Sequence, residues 1–413
     1  MLSLLRTLLQ SGAVKPDYWK GGNSVRTIFF NGRVITPENV FNGGVVVEGK
    51  HIARVFKDDD FEKTGTLIDV KGNYISPGFV DIHVHGAFGA PFSSGNIEDL
   101  YRGTRYHAKH GTTSLLPTTA SSSHDEVLAA LKCYKKAMEG PNDGARILGG
   151  HLEGNYMNPK CAGAQNPEFL YGADPHEYME LIDTGIVRRV SASPEVDGVI
   201  DMARRLAPQG ILMSMAHSDA DYSMTMRAID AGFTHITHIY NAQSMLSNCY
   251  YYPQVGICET ALLSDEVTVE AICDGRHVPP ALLRLMYKIK GAGMMHSTTD
   301  AMLSGAPDGK FKGFGMDLLV EDQVCMLESR AAFAGSVATT DRLVRTLYKE
   351  AQIPIADAVK MTTLTPARAI NEHNHIGRLA EGYDADINIF DENINILATM
   401  ILGELYTNNL ANN

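Results

Sequence analysis

Five apolar stretches of this chain, scattered between residues 77 and 301, each close on histidine, glutamate or aspartate. They read Pro77-Gly78-Phe79-Val80-Asp81-Ile82-His83-Val84-His85-Gly86, Gly150-His151-Leu152-Glu153-Gly154, Ala216-His217-Ser218-Asp219, Thr237-His238-Ile239-Tyr240-Asn241 and Thr298-Thr299-Asp300-Ala301. Successive side chains on a strand alternate between faces, so His83 and His85 project in one direction. A chain that ends separate strands in such residues needs an architecture in which those ends meet.

From residue 77 onward, apolar runs alternate with helical patterns. Eight candidate strands fall at 74–85, 112–119, 145–153, 187–193, 210–217, 234–239, 267–273 and 292–300. Helices are predicted at 98–110, at 126–138 behind the capping box Ser123-x-x-Glu126, and at 175–183, 219–231 and 280–290. This alternation predicts an α/β fold, a (β/α)8 TIM-like barrel over 77–374. Its chemistry is expected at the C-terminal strand ends, where the five motifs lie.

Residues 25–76 carry short alternating segments such as Val45-Val46-Val47, with turn signals at Asn31-Gly32 and Asn42-Gly43-Gly44. After helical patterns at 340–351 and 355–363, β character returns at Gly377-Arg378-Leu379 and Asp386-Ile387-Asn388-Ile389-Phe390. Residues 375–413 are therefore expected to pair with 25–76 in a small discontinuous β domain. Residues 1–24 are expected to form a helical extension, in which Met1 to Ala13 reads as an amphipathic helix and not a signal peptide.

The 413 residues, 44% hydrophobic and 20% charged, contain no run near the roughly 18 apolar residues of a membrane span. Cys133, Cys161, Cys249, Cys258, Cys273 and Cys325 stand singly, without metal-knuckle spacing or the density of a disulfide scaffold, which fits a reduced cytoplasm. A formal charge of −12 argues against a nucleic-acid partner. It would also repel an anionic substrate unless a local cationic pocket overrides it.

Imidazole and carboxylate donors suit a divalent ion, zinc first, with iron, manganese or cobalt also compatible. His83, His85, Glu153, His217 and His238 are the candidate ligands, for one ion or two, because a barrel gathers their strand ends. His151, on the same side as Glu153, is left open. His107, His110, His124, His296 and His373 are read as ordinary hydrogen-bonded residues. Asp300, ending the eighth strand, is placed to take a proton from an activated water and pass it to a leaving group. Hydrolysis of an amide or ester follows from this set.

Further motifs narrow the reading: Asn31-Gly32-Arg33-Val34-Ile35-Thr36-Pro37, Asn158-Pro159-Lys160, Asp274-Gly275-Arg276-His277, Ala334-Gly335-Ser336 and Thr365-Pro366-Ala367-Arg368-Ala369. With the strand-end motifs they make the chain, from about residue 25 on, resemble the amidohydrolase superfamily and more narrowly the N-acetylglucosamine-6-phosphate deacetylases. The resemblance implies Glu153, His217 and His238 as principal metal ligands and His83 and His85 as holders of a second ion. It implies Asp300 as the catalytic acid and base, with Asn241, Ala242 and His277 contacting the sugar phosphate. An amino sugar substrate and a homodimer follow from the same likeness.

Three positions depart from that pattern. Gln165 stands twelve residues after Glu153, where the family has a histidine that stabilises the oxyanion; its neutral amide can still donate a hydrogen bond. Asn155 replaces a proline and is expected to free the backbone beside the metal. Met245 to Gln254 contains no arginine to grip a phosphate but has Tyr250, Tyr251 and Tyr252. Lys160 and Arg276 are candidate substitutes for that cation. Alternative readings are a deacetylase of an unphosphorylated or differently phosphorylated N-acetyl sugar, an amidohydrolase acting on N-acyl amino acids or cyclic amides, and an inactive scaffold.

Overall fold

The computed structural model describes residues 26–58, 60–141, 144–313 and 315–410; the expected helical extension at 1–24 lies outside them. Among the described residues, eight parallel strands form the barrel in chain order: Phe79–Val84, Thr112–Pro117, a third split into Arg146–Ile147 and Gly150–Leu152, then Val187–Ala192, Leu212–Met215, Phe233–Ile236, Thr268–Ile272 and Met295–Thr298. Parallel bridges from Thr118 to His151 and from Val84 to Ala301 close the ring. The seam is made by the motifs themselves: the Asp300 N–H donates to the His83 carbonyl and the His85 N–H to the Ala301 carbonyl, each at 2.9 Å.

The surrounding helices start where the sequence satisfies their free N–H groups. The Ser123 and Glu126 box caps His124–Glu139, and the Asn96 side chain accepts from the Glu98 N–H at the head of Ile97–Lys109. The helix expected from 219 begins only at Tyr222, because Asp221 is its cap while Glu195 holds Ser218 and the Asp219 N–H in the preceding turn.

The stretch predicted as one strand over 74–85 is two. Tyr74–Pro77 pairs antiparallel with Ile387–Phe390 in an eight-stranded outer sheet, and Phe79–Val84 enters the barrel. Gly78 lies between them; a Cβ there would meet the Thr113 side chain at 2.2 Å, so only glycine allows this approach. The outer sheet combines strands from residues 26–77 with Ile387–Phe390, Ile396–Ile401 and Glu404–Asn408, around a core that includes Phe29, Val45, Ile75, Ile387 and Ile389. Arg146 ties this sheet to the barrel through ion pairs with Asp384 and Asp386.

Two features lie outside the barrel pattern. A three-stranded antiparallel sheet, Gly309–Gly313, Met316–Glu321 and Val324–Leu327, follows the eighth strand. A hairpin of Ser247–Cys249 and Tyr252–Gln254 follows the sixth and is exposed throughout. The helix predicted over 340–351 is α-helical only for Thr340–Arg345 and widens to a π-turn over Thr346–Glu350. Among the described residues no helix is long and apolar enough to cross a membrane.

Candidate active site

His83, His85, Glu153, His217, His238 and Asp300 converge at the C-terminal ends of barrel strands one, three, five, six and eight. Glu153 joins them. Its Oε1 lies 3.4 Å from His83 Nε2, 3.3 Å from His238 Nε2 and 3.9 Å from His217 Nε2, and its Oε2 lies 3.1 Å from His85 Nε2. Asp300 Oδ1 is 3.2 Å from both His83 Nε2 and His85 Nε2. Among the described residues, two of three groups that could hold an ion thus share one carboxylate, His83, His85 and Glu153 with Glu153, His217 and His238; the third is His235, Glu270 and His296. His217, His238 and Asp300 have φ of 45°, 29° and 47°, a left-handed backbone uncommon for non-glycine residues.

The donors are oriented for a cation. The His83 Nδ1–H donates to Glu270 Oε1 at 3.0 Å and the His217 Nδ1–H to the Cys161 carbonyl at 2.8 Å, which leaves each Nε2 lone pair turned inward. His217 Nε2 then stands 3.1 Å from His238 Nε2, and His83 Nε2 3.2 Å from His85 Nε2. Glu153 Oε1 is buried and accepts no hydrogen bond. Nitrogen lone pairs gathered at such distances around an unsatisfied carboxylate oxygen fit a divalent ion.

The charges agree with that fit. Burial works to lower the His83 pKa, yet the charges of Glu153, Asp300 and Glu270 hold it well above the usual imidazole value. Burial works to raise the Glu153 pKa, but His83 and its histidine neighbours keep it well below the carboxylate range. Asp300 is likewise held down, against burial, by His83 and His85. Burial, with His238 alongside, lowers His217 to about 4, so its ring is neutral at physiological pH. A carboxylate-rich centre of this kind takes up a metal ion by displacing protons from its imidazoles.

His151 is not one of the ligand groups. Its nitrogens bond to the Thr118 and Ser191 hydroxyls, at 3.1 and 2.7 Å, and its ring packs edge-on beneath His83 with centroids 4.8 Å apart. Two buried residues of the centre escaped the sequence reading: Glu270, bonded to His83, and Arg189, its ion-pair partner, both fully inaccessible. Glu270 is a lone charge inside an apolar strand, and Arg189 is the inward-facing one of two adjacent arginines on its strand. Such charges are seldom buried unless paired, and that was the available signal.

A cavity of about 480 Å³ opens over the centre. Gln165, Asn241, Ala242 and His277 all line it, as does Lys160, whereas Arg276 is exposed and outside the lining. Gln165 donates from Nε2 to Glu153 Oε2 at 3.1 Å and accepts from the Ser121 N–H at 2.8 Å, so one amide hydrogen stays available. His277 Nδ1 bonds to Asp274 Oδ2 at 2.9 Å, and its Nε2 is buried without a partner. Met316 and Phe333, from the segment after the eighth strand, complete a wall that the sequence reading did not anticipate.

The amidohydrolase family model matches residues 74–406, most of the chain and every residue of this centre. The chain belongs to the amidohydrolase family. It is 29% identical over 380 residues to an N-acetylglucosamine-6-phosphate deacetylase from Bacillus subtilis, covering 90% of this chain and 95% of that one. It is 28% identical over 333 residues to an N-acetylgalactosamine-6-phosphate deacetylase from Escherichia coli O157:H7, with 80% and 87% covered. A mutant N-acetyl-D-glucosamine-6-phosphate deacetylase from Mycobacterium smegmatis, solved in complex with N-acetyl-D-glucosamine-6-phosphate, superposes with a TM-score of 0.86 at 27% identity. That alignment covers 94% of this chain and 100% of the other.

As an amidohydrolase, the protein is a metal-dependent hydrolase of carbon–nitrogen bonds. Its departures from the family pattern have structural answers. Asn155 does not loosen the loop as expected: its Nδ2 donates to the Ser122 carbonyl at 2.7 Å and the Phe169 carbonyl at 3.0 Å, replacing proline's stiffness with two ties. Tyr250 and Tyr251 are 90% and 94% exposed at the tip of the hairpin and do not line the cavity.

Proposed function

We propose that this amidohydrolase cleaves the acetamide of an N-acetylated amino sugar phosphate, N-acetylglucosamine 6-phosphate or its galactosamine epimer, to acetate and the free amino sugar phosphate. The observation that carries the reading is the shared Glu153 between two histidine groups, with Asp300 facing them at the floor of a sugar-sized cavity. Likeness to two deacetylases of 6-phosphorylated sugars supports the substrate class.

Glu153, His217 and His238 would hold the principal ion, zinc by preference, and His83 and His85 a second. A divalent ion supplies Lewis-acid polarisation and a water of lowered pKa. The chain's own groups do the rest. Asp300 accepts the proton of the attacking water and returns it to the departing nitrogen, which leaves as an amine. Gln165 offers its remaining amide hydrogen to the carbonyl oxygen as negative charge develops there. Asn241, Ala242 and His277 line the space for the sugar and its phosphate. The homodimer expected from the family resemblance belongs to the same reading.

Gln165→Ala, assayed at saturating zinc because Gln165 also donates to Glu153, is expected to lower kcat about 10²- to 10³-fold, as befits loss of one oxyanion donor. Lys160 is the one lysine or arginine among the described lining residues. Lys160→Ala should therefore raise KM about tenfold for the 6-phosphorylated sugar, the size of one lost charge-assisted hydrogen bond, and leave the unphosphorylated sugar untouched. Steady-state kinetics on N-acetylglucosamine and N-acetylgalactosamine, each with and without the 6-phosphate, and on N-acetyl amino acids tests the whole reading. Preference for an unphosphorylated sugar or an amino acid would overturn it.

A further inference from the structure

Beneath the ligand cluster lies a buried ion pair to which nothing above assigns a task. Arg189, from the fourth strand, is the largest fully inaccessible side chain of the described structure, and Glu270, from the seventh, is equally buried. A guanidinium and a carboxylate at such depth are costly to desolvate, and a well-packed apolar pair of similar volume would often serve the core as well. What sets this pair apart is where its remaining bonds go.

Glu270 Oε2 takes Arg189 Nη1, and Arg189 further donates to the Ile82 carbonyl at 3.2 Å and to Thr237 Oγ1 at 2.9 Å. Ile82 and Thr237 each immediately precede a ligand histidine, His83 and His238. Glu270 Oε1 accepts from His83 Nδ1–H at 3.0 Å and from the backbone N–H of His238 at 3.1 Å. One carboxylate oxygen thus holds a ring of the first ligand group and the backbone of the second. The Glu270 carbonyl also receives the Ile239 N–H at 2.8 Å, so the turn bearing His238 is pinned on both sides.

We propose that Glu270, held in place by Arg189, is a positioning residue that fixes His83 with its proton on Nδ1 and its Nε2 lone pair toward the metal, coupling the two halves of the centre. The inference rests on the histidine and glutamate cluster being a metal site. Its chemical basis is general: a carboxylate behind a ligating imidazole sets the tautomer and ring orientation and strengthens the nitrogen as a donor. Arg189 holds the other carboxylate oxygen, Oε2, so that both oxygens of Glu270 are engaged and Oε1 stays turned to His83 and His238.

The test measures zinc affinity and stoichiometry of the purified full chain by chelator competition and elemental analysis, for wild type, Glu270→Gln, His83→Asn and the double variant. Glu270→Gln is expected to weaken zinc binding about 10- to 100-fold, the usual effect of removing an outer partner of a ligand histidine. In the His83→Asn background the same change should have a smaller effect, because only the Glu270 contact with the His238 N–H remains to be lost. Co(II)-substituted protein should show an altered visible spectrum in Glu270→Gln. Should Glu270→Gln fail to fold around the unpaired guanidinium, Arg189→Met with Glu270→Gln removes both charges and carries the same measurement.

Zinc affinity equal to wild type in a folded Glu270 variant, or losses that add independently of His83, would overturn the proposal and leave a core ion pair. Wild-type protein that binds no zinc would instead overturn the metal reading itself, so the two failures are distinguishable.

Discussion

Asp300→Asn is expected to lower kcat by about 10²- to 10⁴-fold, the range of general acid and base catalysis, with zinc content and KM close to wild type. The asparagine keeps the shape and can still sit 3.2 Å from His83 and His85, but its amide cannot take the water's proton. The prediction separates proton transfer from metal binding because Asp300 belongs to neither three-residue ligand group. Backbone geometry also favours a clean result: the Asp300 N–H and carbonyl bond to His83 and Ser336, and the substitution leaves both bonds in place. Kinetics with elemental analysis checks it. A variant retaining most of its turnover would remove Asp300 from the mechanism.

Glu153→Gln is expected to do broader damage. Glu153 is the one residue common to both ligand groups, so its neutralisation weakens every ion the centre can hold. Zinc affinity should fall by more than the roughly 100-fold that loss of an outer partner brings, and activity should fall with it. The variant also removes the negative charge that offsets His83 and accepts from Gln165 Nε2. Isothermal titration with zinc, alongside kcat/KM, measures the effect. Full zinc occupancy in Glu153→Gln would contradict the shared-ligand geometry.

The convergence of the candidate ligands was legible because each closes an apolar run, and a parallel barrel sends such ends to one mouth. His83 and His85 were readable as neighbours from the two-residue period alone. The capping box at Ser123 and Glu126 was equally local, and the helix behind it begins within two residues of its expected start.

Other parts of the site depend on information that no short window holds. Glu270 and Arg189 meet only after strands four and seven are curled into the ring, so each reads locally as a stray charge. The left-handed backbone of His217, His238 and Asp300 carries no glycine to announce it. The sheet of Gly309–Gly313, Met316–Glu321 and Val324–Leu327 is built of short, partly polar strands, a pattern too weak to separate from loop. The split at Gly78 was hidden because both halves of 74–85 are apolar, and only their partners differ.

The pairing of Tyr74–Pro77 with Ile387–Phe390 joins segments from opposite ends of the polypeptide. During synthesis the early strands emerge long before the segment that completes their sheet, and they wait with an open edge while the whole ring is made. Contacts of such long sequence separation are slow to form. The strands from residue 387 onward therefore act as the latch of this sheet, and a nascent chain stopped short of residue 387 carries an unfinished sheet exposed to intermolecular pairing.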